Sequence, residues 1–363
     1  MKRLRILLVL VVLLLVVCLG VGFWFYQELR TPLMHTQGDQ YIEIKRGSSP
    51  DEIINRLAET GVIRRGWPLR LYARLTGAGA RFKAGEYRFP SPISPFGVVR
   101  KLEEGEQRLS RFTVVEGWTR WDIANAMARI PELRLRNADE ALALMNDTSG
   151  IRDLDPVATN LEGYLFPDTY SFPPDTTPAR MIDTMVKRFR KVWEEYVVKT
   201  ASAKNKSARE VVTVASLIET EAKLKQERPL ISSVIYNRIK IGMPLGIDSS
   251  VIYASKLAGK WKNDGKVYQS DLDRQSPYNT RKVRGLPPGP IASPGASSLE
   301  AALKPADSDY IYYVREPARD DGAHNFYENE SDFQRGVQAL REWERTRDAR
   351  ARQQTPSEGD GNQ

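Results

Sequence analysis

From Ile6 to Tyr26 the chain reads "ILLVLVVLLLVVCLGVGFWFY". This uncharged run of roughly 20 residues, at about 1.5 Å per residue, crosses a hydrocarbon layer about 30 Å thick. It predicts a transmembrane helix, and everything after Tyr26 must then fold on one side of a bilayer. Lys2, Arg3 and Arg5 precede the run. The positive-inside rule therefore predicts residues 1–5 as a cytoplasmic stub, 6–26 as a single span of the cytoplasmic membrane, and the remainder as extracytoplasmic. The run is longer than a signal-peptide core and no A-x-A-like site follows it, which argues against a cleaved leader. Trp24 and Tyr26 suit the far interface.

The only cysteine, Cys18, lies inside the span. The exported region can therefore hold no disulfide, no cysteine nucleophile and no thiolate metal site. His35 and His324 are the only histidines, and neither belongs to an H-x-x-H or H-E-x-x-H pattern, so no zinc is expected. Nor does a G-x-S-x-G or a Walker loop occur. No cofactor or metal is called for, and chemistry is left to carboxylates, tyrosines and backbone. On an extracytoplasmic chain, the net charge of +8 points to an anionic wall or membrane surface as readily as to solubility, and away from nucleic acid.

With 363 residues and 41% hydrophobic content, the chain can build two or three cores after the span is set aside. "YIEIKRGSSPDEIINRLAETGVI" reads as a strand, a turn at Gly47 and a helix: Ser49 caps it, Pro50 opens it, Glu52 completes a capping box and Gly61 ends it. The same grammar returns in "FTVVEGWTRWDIANAM", where Gly47, Ser49 and Glu52 align with Gly117, Thr119 and Asp122. "FKAGEYRF" adds a strand and "SPFGVVRKLEEG" a short helix. The expected fold class is α+β: an N-terminal transmembrane helix, a small α+β module at 41–105, a mixed α+β domain at 106–345, and a charged, disordered tail at 346–363. Within the larger domain, Ser207 and Glu210 form another capping box, and a helix runs from about Glu227 to Ile241. The Pro- and Gly-rich stretch from Gly242 to Gly295 is too long for an idle connector.

"ASLIETEAK" (215–223) places Glu219 and Glu221 on one of these helices. At about 100° per residue, Val211, Val214, Ala215, Ile218 and Ala222 share a face, and Glu219 sits at its edge beside Ala215, Ser216 and Ala222. Glu221 points about 200° away, next to Leu217 and Lys225. Small neighbours leave room for a ligand at Glu219. Against this, Glu219 with Lys223 and Glu221 with Lys225 are i, i+4 pairs of the kind that decorate solvated helices, and a nearby lysine lowers a carboxyl pKa. Spacing alone favours surface decoration for both. His324 reads as a loop hydrogen-bonding group. Tyr278 and Asn279 either contact a ligand or shape their turn, and Asp248 most simply caps the helix that follows it.

"EGYLFPDTYSF", "VASLIETEA", "VIYNRIKIGMPLGIDSSVIY", "SPYNTRKVRGLPPGPIASPGASSLEAALKP" and "HNFY", in this order behind one N-terminal span, resemble the endolytic murein transglycosylase family. The resemblance covers nearly all of the chain outside the charged tail. It implies that residues 41–105 form a LysM-like, peptidoglycan-binding module. It also implies that Glu219, the first acid of the A-S-hydrophobic-hydrophobic-E-x-E motif, is the catalytic residue. The activity implied is cleavage of MurNAc-GlcNAc β-1,4 bonds in nascent strands, ending glycan elongation with 1,6-anhydro products. A substrate hydroxyl serves as nucleophile, so one carboxyl suffices. Asp248 and Glu162 are candidates for stabilising positive charge, and Tyr278, Asn279 and Ser216 for holding sugar. Peptidoglycan strands are the implied partner, with peptidoglycan synthases as candidates. A second histidine expected about nine residues after His324 is Phe333 here. A non-catalytic wall-binding scaffold and a two-carboxylate hydrolase are the competing readings.

Overall fold

The computed structural model describes residues 2–105, 109–173, 175–197, 206–319 and 321–354. The chain divides into two compact units, residues 1–110 with 171–174, and residues 111–170 with 175–363.

The first unit opens with helix α1 (Lys2–Arg30). Its stretch Leu7–Arg30 is long and apolar enough to cross a membrane. The end of α1 is packed: Leu29 is 1% exposed, and the Trp24 ring stacks on Trp67 at 5.8 Å. Strand β1 (Tyr41–Ile44) leads to α2 (Pro50–Glu59) and α3 (Gly66–Thr76). Strand β2 (Gly85–Arg88) then pairs antiparallel with β1, Ile42 opposite Tyr87, and α4 (Pro95–Glu104) follows. The expected capping box of α2 is present in both halves. Ile53, Ile54 and Leu57 form the buried stripe of that helix and join Ile42, Ile44, Tyr87 and Val98 in one core. Burying side chains of this size contributes about 1.5–3 kcal/mol each and holds so small a sheet together.

Further along the chain, β3 (Ser110–Thr113) and β4 (Thr169–Phe172) form a two-stranded ladder in which Thr113 and Thr169, both of the second unit, join hydroxyls at 2.9 Å. Between them lie α5 (Arg120–Ala128), which begins in the second capping box (Thr119, Asp122), and α6 (Ala138–Leu144). After α7 (Pro178–Val192) comes α8 (Ala208–Glu221), around which the unit is built. Residues Val211 to Ile218 of α8 are all buried, Thr213 and Ser216 among them, so this stretch is covered on every side, as in a core helix. The box expected at its start is half made: Ser207 accepts from the Glu210 amide, with no reciprocal bond. Helix α9 (Arg228–Lys240) follows, then α10 (Asp248–Leu257), the one-turn α11 (Gln269–Leu272) and α12 (Ala296–Leu303), which packs along α8 and α9. The antiparallel hairpin β5 (Tyr312–Arg315) and β6 (His324–Tyr327) precedes α13 (Glu330–Gln354).

Helix α13 continues through residues 346–354, where a disordered tail is expected from composition; residues 355–363 lie outside the described residues. Phe333, in the first turn of α13, stacks on Tyr312 at 4.7 Å, so the position of the implied second histidine is an aromatic clasp between helix and hairpin.

Candidate functional site

Helix α8 ends at Glu221, with Ala222 already extended (φ −84°, ψ 112°). Lys223 and Lys225 therefore lie beyond the helix, and the i, i+4 pairing that argued for solvated surface has no helical turn to form on. Both glutamates are drawn inward.

The Glu219 side chain is 4% exposed. Its Oε1 accepts from Arg228 Nη2 at 2.7 Å and its Oε2 from the Gly295 amide at 2.8 Å. Arg228, in the first turn of α9, is itself buried, donates to Ser297 Oγ, and lies 3.6 Å from Glu116 Oε2. Glu116 precedes the turn into α5 and lies directly over Gly295. A β-carbon there would meet Glu116 Cδ at 2.6 Å, so a larger residue would push the Glu116 carboxylate out of this position. The backbone fixes the geometry: Gly117 N–H donates to Ser293 O at 2.9 Å and Ser293 N–H to Trp118 O at 2.7 Å.

Burial raises the Glu219 carboxyl above its ordinary pKa, and the Glu116 charge adds to this. The Gly295 N–H, the Arg228 guanidinium and the Ser298 hydroxyl pull the other way, and burial prevails. The result is a carboxyl poised to hold a proton, with a second carboxylate across one guanidinium. Glu116 is 46% exposed and faces solvent beside it.

Ser216 is fully buried; its Oγ donates to Thr213 O at 2.8 Å and accepts from the Ile291 amide at 3.1 Å. Rather than meeting a ligand, it ties the 291–295 strap to α8 and so brings Gly295 to Glu219. Asn279 is also fully buried, its Nδ2 donating to Leu272 O and Arg274 O and its Oδ1 accepting from the Arg281 amide. That saturates its amide as a loop anchor. Tyr278 is half-buried against the Tyr253 ring at 5.0 Å. Asp248 does not cap α10, whose N-cap is Ile247 without a side-chain bond. Its exposed carboxylate instead pairs with Arg281 at 2.6 Å, which the guanidinium geometry favours over a cap. Glu162 is 4% exposed; both its oxygens accept from the Arg120 amide at the start of α5, and burial pushes its pKa up to about 7.

Glu221, expected in solvent, is instead half-buried beneath β5. Its Oε2 accepts from Tyr313 Oη at 2.9 Å, and burial raises its pKa. The reason is the completeness of α8's burial: the side carrying Leu217 is as covered as the side carrying Ile218. His324 lies on β6 rather than a loop; its amide and Nδ1 both engage Glu227, at 2.9 and 2.8 Å, and its ring meets Tyr313 edge-on at 5.3 Å. Glu227 and Arg228 are consecutive, so one peptide carries both the His324 anchor and the Glu219 cation.

Glu116 and Arg228 are the site residues that the spacing arguments passed over. Both leave a trace in the sequence. In the internal repeat the first copy has Arg46 before its glycine where the second has Glu116. Arg228 places a cation in the first turn of a helix, against the helix dipole, a position that needs a carboxylate to justify it.

A two-unit α+β chain whose α8 ends in a buried acid, braced by an arginine and a backbone amide, has relatives. The YceG-like family matches residues 42–339, and the chain belongs to it. It is 37% identical over 314 residues to the endolytic murein transglycosylase of Bacillus subtilis, covering 82% of this chain and 84% of that one. The endolytic murein transglycosylase of Streptococcus pneumoniae strain D39 is 29% identical, over 87% of this chain and 62% of its own length. A crystal structure of a yceG-like protein from Listeria monocytogenes superposes with a TM-score of 0.55 at 32% identity, over 81% of this chain and 98% of that one.

Proposed function

We propose that this chain is an endolytic peptidoglycan lytic transglycosylase in which Glu219 acts as both acid and base. The observation that carries the assignment of Glu219 is its setting: a motif glutamate at the end of a core helix, buried, with its pKa raised by that burial. The names of the relatives support the same activity. Protonated Glu219 gives its proton to the glycosidic oxygen as the C1–O4 bond between MurNAc and GlcNAc breaks. The MurNAc C6 hydroxyl then attacks C1, the C1–O6 bond closes the anhydro ring, and the hydroxyl proton returns to Glu219. The nucleophile is already on the substrate, so proximity replaces an activated water.

Glu116 is the acid nearest to a second carboxylate role, through its electrostatic hold on Arg228. The β–α–α–β order of the first unit supports a LysM-like glycan-binding role for residues 41–105, and α1 supports a single-pass anchor with the rest of the chain extracytoplasmic. Cutting nascent strands beside the membrane would end their elongation.

The test uses the full chain in detergent, wild type and Glu219→Gln, with uncrosslinked glycan strands and mass analysis of product ends. Anhydro ends that fall by about 10²–10⁴-fold in Glu219→Gln are expected. Reducing ends with wild type would make it a hydrolase, and intact glycan a binding scaffold. An active Glu219→Gln beside an inactive Glu221→Gln would move the acid to the other glutamate.

A further inference from the structure

Within the second unit, a cleft of about 260 Å³ opens beside α5, lined by Trp121, Asp122 and Asn125 of that helix, Lys256 at the end of α10, and Trp261 and Asn263 beyond it. Both indoles are half-buried and border the cleft. Asn125 and Asn263 are exposed, and their side-chain amides have no protein partner among the described residues. Asn263, which also lines the cleft, adopts a positive φ of 59°. Lys256 pairs loosely with Asp122 at 3.5 Å, while Asp122 is already engaged by the Thr119 amide and hydroxyl. Trp121 is held in place by the Tyr253 ring at 5.2 Å and by the Arg120 guanidinium, which lies over the indole at 4.8 Å.

The structure assigns this cleft, we propose, as a glycan subsite that holds sugars of the same strand beyond the pair being cut. The inference rests on the transglycosylase reading above. A rigid indole offers its face to the C–H side of a pyranose, and unpaired amides offer donors and acceptors to hydroxyl and N-acetyl groups. The Lys256 ammonium adds an attraction for the carboxylates that muropeptides carry. Position supports the assignment: Trp121 follows Glu116 by five residues, an extended reach of at most about 18 Å, and Glu116 borders the Glu219 carboxyl through Arg228. An internal cut leaves sugar on both sides of the bond, so a strand held only at the reacting pair would leave this wall of the unit unused.

The test is oxidative footprinting of the full-length Glu219→Gln protein in detergent, read residue by residue by mass spectrometry as uncrosslinked glycan strands are titrated in. The expected result is that oxidation of Trp261 slows by about threefold or more, with the same concentration dependence as Trp121. A Trp261 rate unchanged up to the solubility limit of the glycan would overturn the subsite. Trp261→Ala/Asn125→Ala provides the second measurement, since Trp121→Ala also removes packing from Tyr253. In the otherwise wild-type chain the double variant is expected to raise KM for long strands about tenfold and to change kcat less. A lowered kcat at unchanged KM would equally overturn it. Failure of the transglycosylase reading shows separately, as a wild-type protein that yields no anhydro ends while its Trp261 is still protected.

Discussion

Arg228 and Glu219 form a buried ion pair, Nη2 to Oε1 at 2.7 Å, with side chains 5% and 4% exposed. Alone, that pair would hold Glu219 ionised, the wrong state for an acid. Glu116, 3.6 Å from the same nitrogen, draws on the guanidinium from the other side, and burial disfavours the charge. Glu219 must be protonated to donate, so activity is lost as pH rises through its pKa. Glu116→Gln leaves Arg228 wholly to Glu219 and removes a like charge, so the alkaline limb of the kcat/KM profile is expected to move to lower pH, with Glu116→Asp closer to wild type. Arg228→Met is expected to move it to higher pH, at a cost of about 3–5 kcal/mol in stability from the broken buried pair. The check is the pH profile of anhydro-end formation. Shifts of both variants in the same direction would remove this account of the site.

Glu162 makes a second pH prediction, in stability. Its pKa is about 7 in the folded protein against 4.5 for an ordinary glutamate, so the folded state binds the extra proton between those values. Stability from this group is full below 4.5 and is lost as pH rises toward 7, a difference of at most about 3 kcal/mol. Glu162→Gln keeps the shape and removes the ionisation. Its melting temperature is expected to fall less than that of wild type between pH 4.5 and 7; parallel curves would contradict the buried acid.

Gly163 has φ +81°, and a β-carbon there would meet Pro290 Cγ at 2.7 Å and Val212 Cγ1 at 2.9 Å. Gly163→Ala is expected to destabilise the protein by about 2 kcal/mol or more and to reduce activity, because the neighbouring strap carries Gly295 to Glu219. Urea unfolding of the detergent-solubilised chain measures the first effect and glycan cleavage the second. An alanine variant as stable as wild type would show that the strap yields freely.

Glu221 is expected to support rather than react. Glu221→Gln can still accept from Tyr313 and removes a carboxyl that burial disfavours, so it is expected to retain activity within about tenfold and to melt no lower than wild type at pH 7. Glu221→Ala leaves Tyr313 Oη without its partner and is expected to lose about 1–3 kcal/mol. A Gln variant as inactive as Glu219→Gln would give Glu221 a chemical role.

Local grammar carried much of the fold. The apolar run, two of the three expected capping boxes and the bounds of α9 follow from neighbouring residues and stand where spacing puts them, whereas the Ser207–Glu210 box is only half made. The site was legible only in part. Glu219 could be singled out by small neighbours and by motif, but Ser216 and Asn279 look like ligand groups in sequence because hydroxyl and amide chemistry does not say whether the partner is sugar or backbone. Glu221 was misplaced because a wheel divides a helix into wet and dry faces, whereas α8 has no wet face until its end. Glu116, Arg228 and Gly295 come from segments far apart in sequence; backbone bonds of Gly117 and Ser293 join the first to the third, and Arg228 reaches them through Ser297 and the packing of α9 on α12.

The adjacency of Glu227 and Arg228 has a mechanical consequence. One rigid peptide plane joins the residue that anchors the β5–β6 hairpin through His324 to the residue that neutralises the acid, so the two cannot be set independently. Lengthening the chain by one residue between them would swing one side chain about 100° relative to the other and cost both bonds at once. The hairpin and the proton donor thus share a single pivot, and the sequence can vary on either side of it more freely than across it.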